Sequence, residues 1–179
     1  IHRVVEIARA LAVRHGVDQE QTTLAALAHD VARAMPDSEL LRRAKGMGLP
    51  IGLVDQRVPI LLHGPVGAEI LQQEAGLTDR SIYCAVYWHT TASPALDMLG
   101  KVVFIADKLG PAKIVSYPYL PQIRQLAFED LDQAILGFLT RQAVERLNRG
   151  ELLHPLMMET RNALLAASAA VEHAAVRAD

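Results

Sequence analysis

The sequence holds a single cysteine, aromatic residues make up only 4% of its 179 positions, and charges of one sign nowhere form a long run. No stretch approaches the ~20 uninterrupted apolar residues of a membrane span. Cys84 alone cannot close an internal disulfide, which fits a reducing compartment, and a lone cysteine most often serves as a small buried apolar residue. Arg3, Glu6 and Arg9 interrupt any signal-peptide pattern at the start, so a cytoplasmic protein that engages no membrane is expected. Eighteen Lys and Arg stand against twenty Asp and Glu, for a formal charge of -2. That balance removes the electrostatic footprint of a nucleic-acid binder.

Alanine (27) and leucine (25) are abundant, and 51% of the residues are hydrophobic. Apolar residues recur at three- and four-residue spacing almost throughout, without the sustained alternation of a half-buried strand, which predicts an all-α helical bundle. The spacing predicts helices near 2–15, 21–34, 37–47, 59–75, 79–91, 95–109, 121–149 and 157–176. Asp37 and Asp79 are expected at helix starts, where a short polar side chain accepts orphan amide protons. The irregular segment Tyr117-Pro118-Tyr119-Leu120-Pro121 is expected to cover the core with its tyrosines, and Trp88 to lie in the core. One domain over 1–179 is expected, with a metal-site core at about 1–115 and C-terminal helices at about 120–176 packing on it. A chain this long buries about 70% of its unfolded surface and folds without a structural metal, so any metal site would be functional.

Against this apolar background a few ionisable residues stand out. His29 and Asp30 interrupt Leu24-Ala25-Ala26-Leu27-Ala28 and Val31-Ala32, and His63 follows Ile60-Leu61-Leu62. His89 ends the pattern of Ile82, Ala85 and Val86, and Asp107 follows Val102-Val103-Phe104-Ile105-Ala106. An uncompensated buried carboxylate costs several kcal/mol, which a cation shared with imidazoles would remove. Successive separations of 33, 26 and 18 residues, from Asp30 to His63, from His63 to His89 and from His89 to Asp107, put these groups on different helices, able to meet only in the folded core. Mixed imidazole and carboxylate donors suit Fe, Mn, Zn or Co. Two such ions ~3.5–4 Å apart would activate water and clamp phosphoryl oxygens, with Asp30 as the natural bridge. Arg33, expected one helical turn after Asp30 and on the same side of the helix, and Lys108, next to Asp107, are candidates to pair with substrate phosphate. His15 and His154 read as structural groups, at a helix end and in a loop, and His173 as part of a terminal helix.

The run Ala26-Leu27-Ala28-His29-Asp30-Val31-Ala32-Arg33 resembles the signature of the HD-domain metal-dependent phosphohydrolases. Leu61-Leu62-His63-Gly64-Pro65-Val66-Gly67-Ala68, Trp88-His89-Thr90-Thr91, Ile105-Ala106-Asp107-Lys108 and the tail from His154-Pro155 to Arg161-Asn162 resemble its YqeK-like branch. That branch hydrolyses diadenosine tetraphosphate symmetrically to two ADP. The resemblance implies His29, Asp30, His63, His89 and Asp107 as ligands of a dinuclear, iron-containing centre, with Mn, Co or Zn as alternatives. It puts Thr90 and Thr91 at the edge of that centre, and with Arg33 and Lys108 they complete the expected substrate contacts; Asp30 and Arg33 are the expected catalytic residues. It allows a homodimer, and an association with a nicotinate-nucleotide adenylyltransferase.

Several positions depart from the branch pattern. The first ligand of the family is a histidine that registers just before Ile1, so upstream residues are expected to carry it; His2, two positions out of register, is the other candidate. Gly110-Pro111-Ala112-Lys113 lacks the usual acidic residue, Arg33 stands where Lys is usual, and Ala92 where Gly is usual. Two other readings stay open: an HD-type nucleotide or deoxynucleotide phosphohydrolase, and a degenerate HD module that binds nucleotide without turnover.

Overall fold

Helix α7 (Met98–Lys108) is the axis of the molecule, because Val102 to Ala106 are five consecutive buried residues and that stretch has no solvent face. Around it pack α1 (His2–His15), α2 (Gln19–Ala28) and α6 (Arg80–Trp88). The computed structural model describes residues 2–110 and 117–176, with side chains as far as residue 170. Pro111, Ala112 and Lys113, which depart from the family pattern, lie outside the described residues, and so does the side chain of His173.

Helix α3 (Asp37–Gly46), the short α4 (Leu53–Arg57), a 3-10 turn at Pro59–Leu62 and α5 (His63–Gln73) follow α2 and close one flank. Beyond α7 come α8 (Leu120–Glu129), α9 (Leu131–Asn148) and α10 (Pro155–Val176). The described residues form helices and turns only, as the apolar period predicts. Ile7, Ala8 and Leu11 on one face of α1 join Phe104, Ile123, Ile135 and Leu139 in the largest apolar cluster.

The structure differs from the sequence-based expectation in several places. The predicted helix over 121–149 is two helices, because Asp130 adopts φ -149° and ψ 111° and its carboxylate caps the amides of Asp132 and Gln133. Helix α4, five residues long, is too short to show a period. Asp79 caps α6 through the amide of Ile82 as expected, but Asp37 is the first residue of α3 behind Pro36, which offers no capping side chain. The helices read as 21–34 and 79–91 stop at Ala28 and Trp88, each one residue short of a histidine. Cys84 is half-buried rather than buried.

Candidate metal centre and adjoining cavity

Helix ends build this site. The last carbonyls of a helix have no intrahelical donor. Three histidines fill that need in the same way: Nδ1–H of His29 donates to the Ala26 carbonyl (2.7 Å), His63 to Ile60 (2.5 Å) and His89 to Val86 (2.6 Å). Each bond spans three residues and puts the ring proton on Nδ1, so all three Nε2 atoms present lone pairs. His29 and His89 are 1% exposed, which closes these lone pairs to bulk water.

The lone pairs meet at one carboxylate. Asp30 follows α2 in a chain of tight turns (Val31 N to Ala28 O, Arg33 N to Asp30 O). Its Oδ1 lies 3.1 Å from His63 Nε2 and 3.7 Å from His89 Nε2, and its Oδ2 lies 3.4 Å from His29 Nε2. Asp107, near the end of α7, brings Oδ1 to 3.8 Å from His29 Nε2. Donor atoms of His29, Asp30 and His89 all fall within 4.8 Å of one another. Gly64 allows this convergence: a Cβ there would sit 2.8 Å from the Tyr87 carbonyl and 3.3 Å from His89 Cε1, holding α5 away from the end of α6.

The donor set fits a cation. His29 Nε2 is buried without a close hydrogen-bond partner among the described residues, a position that a cation or, in its absence, a proton held by Asp30 and Asp107 would satisfy. His63 Nε2 and His89 Nε2 stand 2.9 Å apart, and with both ring protons on Nδ1 two lone pairs face each other. Only a positive charge between or beside them makes that arrangement favourable. The electrostatics agree: burial lowers the His29 pKa, but the nearby Asp107 and Asp30 carboxylates outweigh it and raise it to about 9. Burial, opposed by Asp30 and helped by Lys108 and the other imidazoles, lowers His89 to about 4. The three imidazoles hold Asp30 well below the usual carboxylate range against the opposing effect of its burial.

Lys108 links this cluster to a cavity. Its Nζ donates to Asp107 Oδ2 (2.8 Å) and to the His89 carbonyl (2.9 Å), leaving a third N–H to spare among the described residues. Thr90 and Thr91 line the same cavity, their hydroxyls donating to the carbonyls of Leu61 and Ala92. The cavity has a volume of about 200 Å³ and is walled by Phe104, Leu120, Phe138 and Met157, with Gln142 among its polar groups. Tyr117 lines it as well, more than a mere cover for the core, and half-buried Trp88 packs on Tyr87.

The remaining expected residues lie apart. Arg33 is exposed and makes no ion pair among the described residues, and in a chain of turns it is not one α-helical turn beyond Asp30. His2, at the start of α1, is exposed and makes no bond to the cluster among the described residues. His154 ties the start of α10 to α4: Nδ1 accepts from Leu156 N (3.3 Å) and Nε2 faces Asp55 Oδ1 (3.4 Å), which fits its structural reading. His15 Nε2 contacts the Ala127 carbonyl at 2.7 Å, joining α1 to α8. Sequence reasoning did not find the Nδ1 anchors, although each lies three residues ahead of a histidine that ends an apolar helical run. Gln142 gave no signal, since glutamine on a helix is common on solvated faces.

The HD domain family model matches residues 1–112. A protein named bis(5'-nucleosyl)-tetraphosphatase, symmetrical, from Bacillus subtilis (strain 168) is 33% identical over 92% of this chain and 87% of its own length. One of the same name from Halalkalibacterium halodurans is 32% identical over 90% of this chain and 85% of its own. A solved structure from Clostridium acetobutylicum, described as a predicted HD superfamily hydrolase involved in NAD metabolism, superposes with a TM-score of 0.86 at 29% identity. That match covers 92% of this chain and 86% of the solved one.

Proposed function

Since the chain belongs to the HD-domain family, we propose that it is a metal-dependent phosphohydrolase that cleaves a dinucleoside polyphosphate, diadenosine tetraphosphate, at its centre to give two ADP. The observation that carries this reading is the meeting of three anchored imidazole lone pairs at Asp30. His29, Asp30, His63, His89 and Asp107 would hold two metal ions, Fe first among the candidates. When bound, such ions lower the pKa of water and neutralise charge growing on phosphoryl oxygens.

The protein's own groups do the rest. The Nδ1 bonds hold each ring in one tautomer and orientation, so the donors need little rearrangement. Lys108 keeps Asp107 in place and offers its spare N–H to a phosphate oxygen from the cavity side. Thr90 and Thr91 border the same space, and Arg33, free of any partner among the described residues, can swing onto the outer phosphates. ADP is a good leaving group, so no dedicated general acid is assigned. A cytoplasmic setting, a homodimer and association with a nicotinate-nucleotide adenylyltransferase belong to the same reading.

Metal analysis of the purified protein together with product analysis on diadenosine tetraphosphate tests it. Two ADP in equal yield per substrate is the expected result. An inert dinucleoside with phosphate released from a mononucleotide, or nucleotide binding without turnover, would overturn it.

A further inference from the structure

We propose that the cavity beside Lys108 is the nucleoside subsite, and that Gln142 reads the 6-amino group of adenine there. This rests on the nucleotide-hydrolase reading for the orientation of the phosphates. The cavity, at about 200 Å³, falls below the ~300–1,000 Å³ that encloses a drug-sized ligand, so it suits one base and not a whole dinucleoside. Two helices build it alike. Helix α7 contributes Phe104 and, four residues on, Lys108; α9 contributes Phe138 and, four residues on, Gln142. The phenyl rings meet edge to face at 6.0 Å and, with Leu120 and Met157, give the cavity an apolar wall. An apolar wall cannot discriminate one base from another, so discrimination falls to the polar groups beside it.

The chemistry of Gln142 sets what it can read. Its Nε2 donates to the Tyr119 hydroxyl (2.7 Å) and towards Glu145 Oε2 (3.3 Å). A carboxylate only accepts, so Glu145 fixes which end of the amide faces the protein; a flipped amide would set two acceptors against each other. Gln142 Oε1 has no partner among the described residues and remains as an acceptor on a cavity-lining side chain. Lys108, by contrast, supplies only donors, while Thr90 and Thr91, whose hydroxyl protons are committed to carbonyls, keep acceptor oxygens directly after His89 in the chain, on the side of the imidazole cluster. An oriented acceptor takes a base with an exocyclic amino donor and rejects hypoxanthine, whose 6-oxo group is itself an acceptor.

Calorimetric titration of the purified full chain with ADP and with inosine diphosphate, beside the same titrations of Gln142→Met, tests the assignment. The native protein is expected to bind ADP about tenfold more tightly than inosine diphosphate, the scale of one hydrogen bond. Gln142→Met is expected to lower ADP affinity to the inosine level while leaving inosine diphosphate within about twofold, which also certifies the fold. Equal affinities in the native protein, no ADP binding, or an ADP preference that survives in Gln142→Met would each overturn the subsite. Hydrolysis of diadenosine tetraphosphate by the metal-loaded native protein is read in parallel. Selective ADP binding without cleavage would sink the activity and leave the subsite standing. Cleavage to two ADP with a preference indifferent to Gln142 would do the reverse.

Discussion

The imidazole–carboxylate cluster and the cavity beside it share α7, yet they are built on opposite principles. The cluster is made at helix ends by side chains locked through backbone carbonyls, and each of its three histidines is held by the same three-residue bond. The cavity is made on helix flanks, by residues that pack as ordinary core and bring a few polar groups to one wall. The first arrangement fixes donor atoms to fractions of an ångström, as a metal centre requires; the second provides shape and stacking area, which tolerate small shifts. Lys108 is the joint between them, bonded to Asp107 and to the His89 carbonyl while lining the cavity.

If that contrast is right, substitutions in the cluster should abolish chemistry and those in the cavity should grade it. The largest effect is expected for Asp30→Ala, which removes the group shared by all three imidazoles. Metal occupancy should fall away and turnover drop by about a thousandfold or more, with helical circular dichroism retained. Unchanged metal content in that variant would refute the assignment of the centre. Next comes Gly64→Ala, whose methyl would meet the Tyr87 carbonyl at 2.8 Å. It should cost about 1–3 kcal/mol in denaturant unfolding and weaken metal binding about tenfold or more, because the clash lies beside His89.

Proton uptake separates the regions further. In the metal-free protein His29 is held protonated, its pKa raised to about 9 by Asp107 and Asp30 against the pull of burial. A cation must displace that proton, so metal loading at pH 7 should release it, and apparent metal affinity should rise with pH up to about 9. Calorimetry in buffers of different ionisation enthalpy reads the proton directly. Without metal the sign for stability is opposite: the raised pKa favours folding below the unfolded value near 6.5, and that contribution is lost as pH rises through about 9. Lys108→Met should act mainly on the cavity side, raising KM for the nucleotide about tenfold with a smaller change in kcat.

The smallest expected effect lies just past the cluster. Ala92 holds φ +62°, a left-handed conformation that costs an alanine free energy and suits glycine. The resemblance to the family marks this position as one where Gly is usual, and the backbone supplies the reason. Ala92→Gly relieves the strain at some loss of chain entropy, and should raise the melting temperature by about 1–4 °C without altering metal content.

The candidate ligand residues were legible because chemistry and setting disagree: His29 beside Ala28, His63 after Leu62 and Asp107 after Ala106 are ionisable groups inside apolar helical runs. The helical class was legible from period alone. The break at Asp130 was not, since Leu126, Ala127, Leu131 and Ala134 continue the apolar spacing across it and only the capping geometry reveals the corner. Helix α4 escaped for want of length, and Gln142 because nothing in its neighbourhood sets it apart from a solvated glutamine.

The order of residues by itself determined that this chain would be helical and which ionisable groups needed a partner. Those are properties of local period and of burial cost, which a chain carries before it folds. Only the tertiary structure decided that α2 and α6 end one residue before their histidines, that Gly64 lets α5 close on α6, and that Glu145 turns the Gln142 amide. The first two depend on contacts between segments far apart in sequence, whose distances exist only once the core has closed around α7, and the third on a side-chain rotamer that the sequence leaves open.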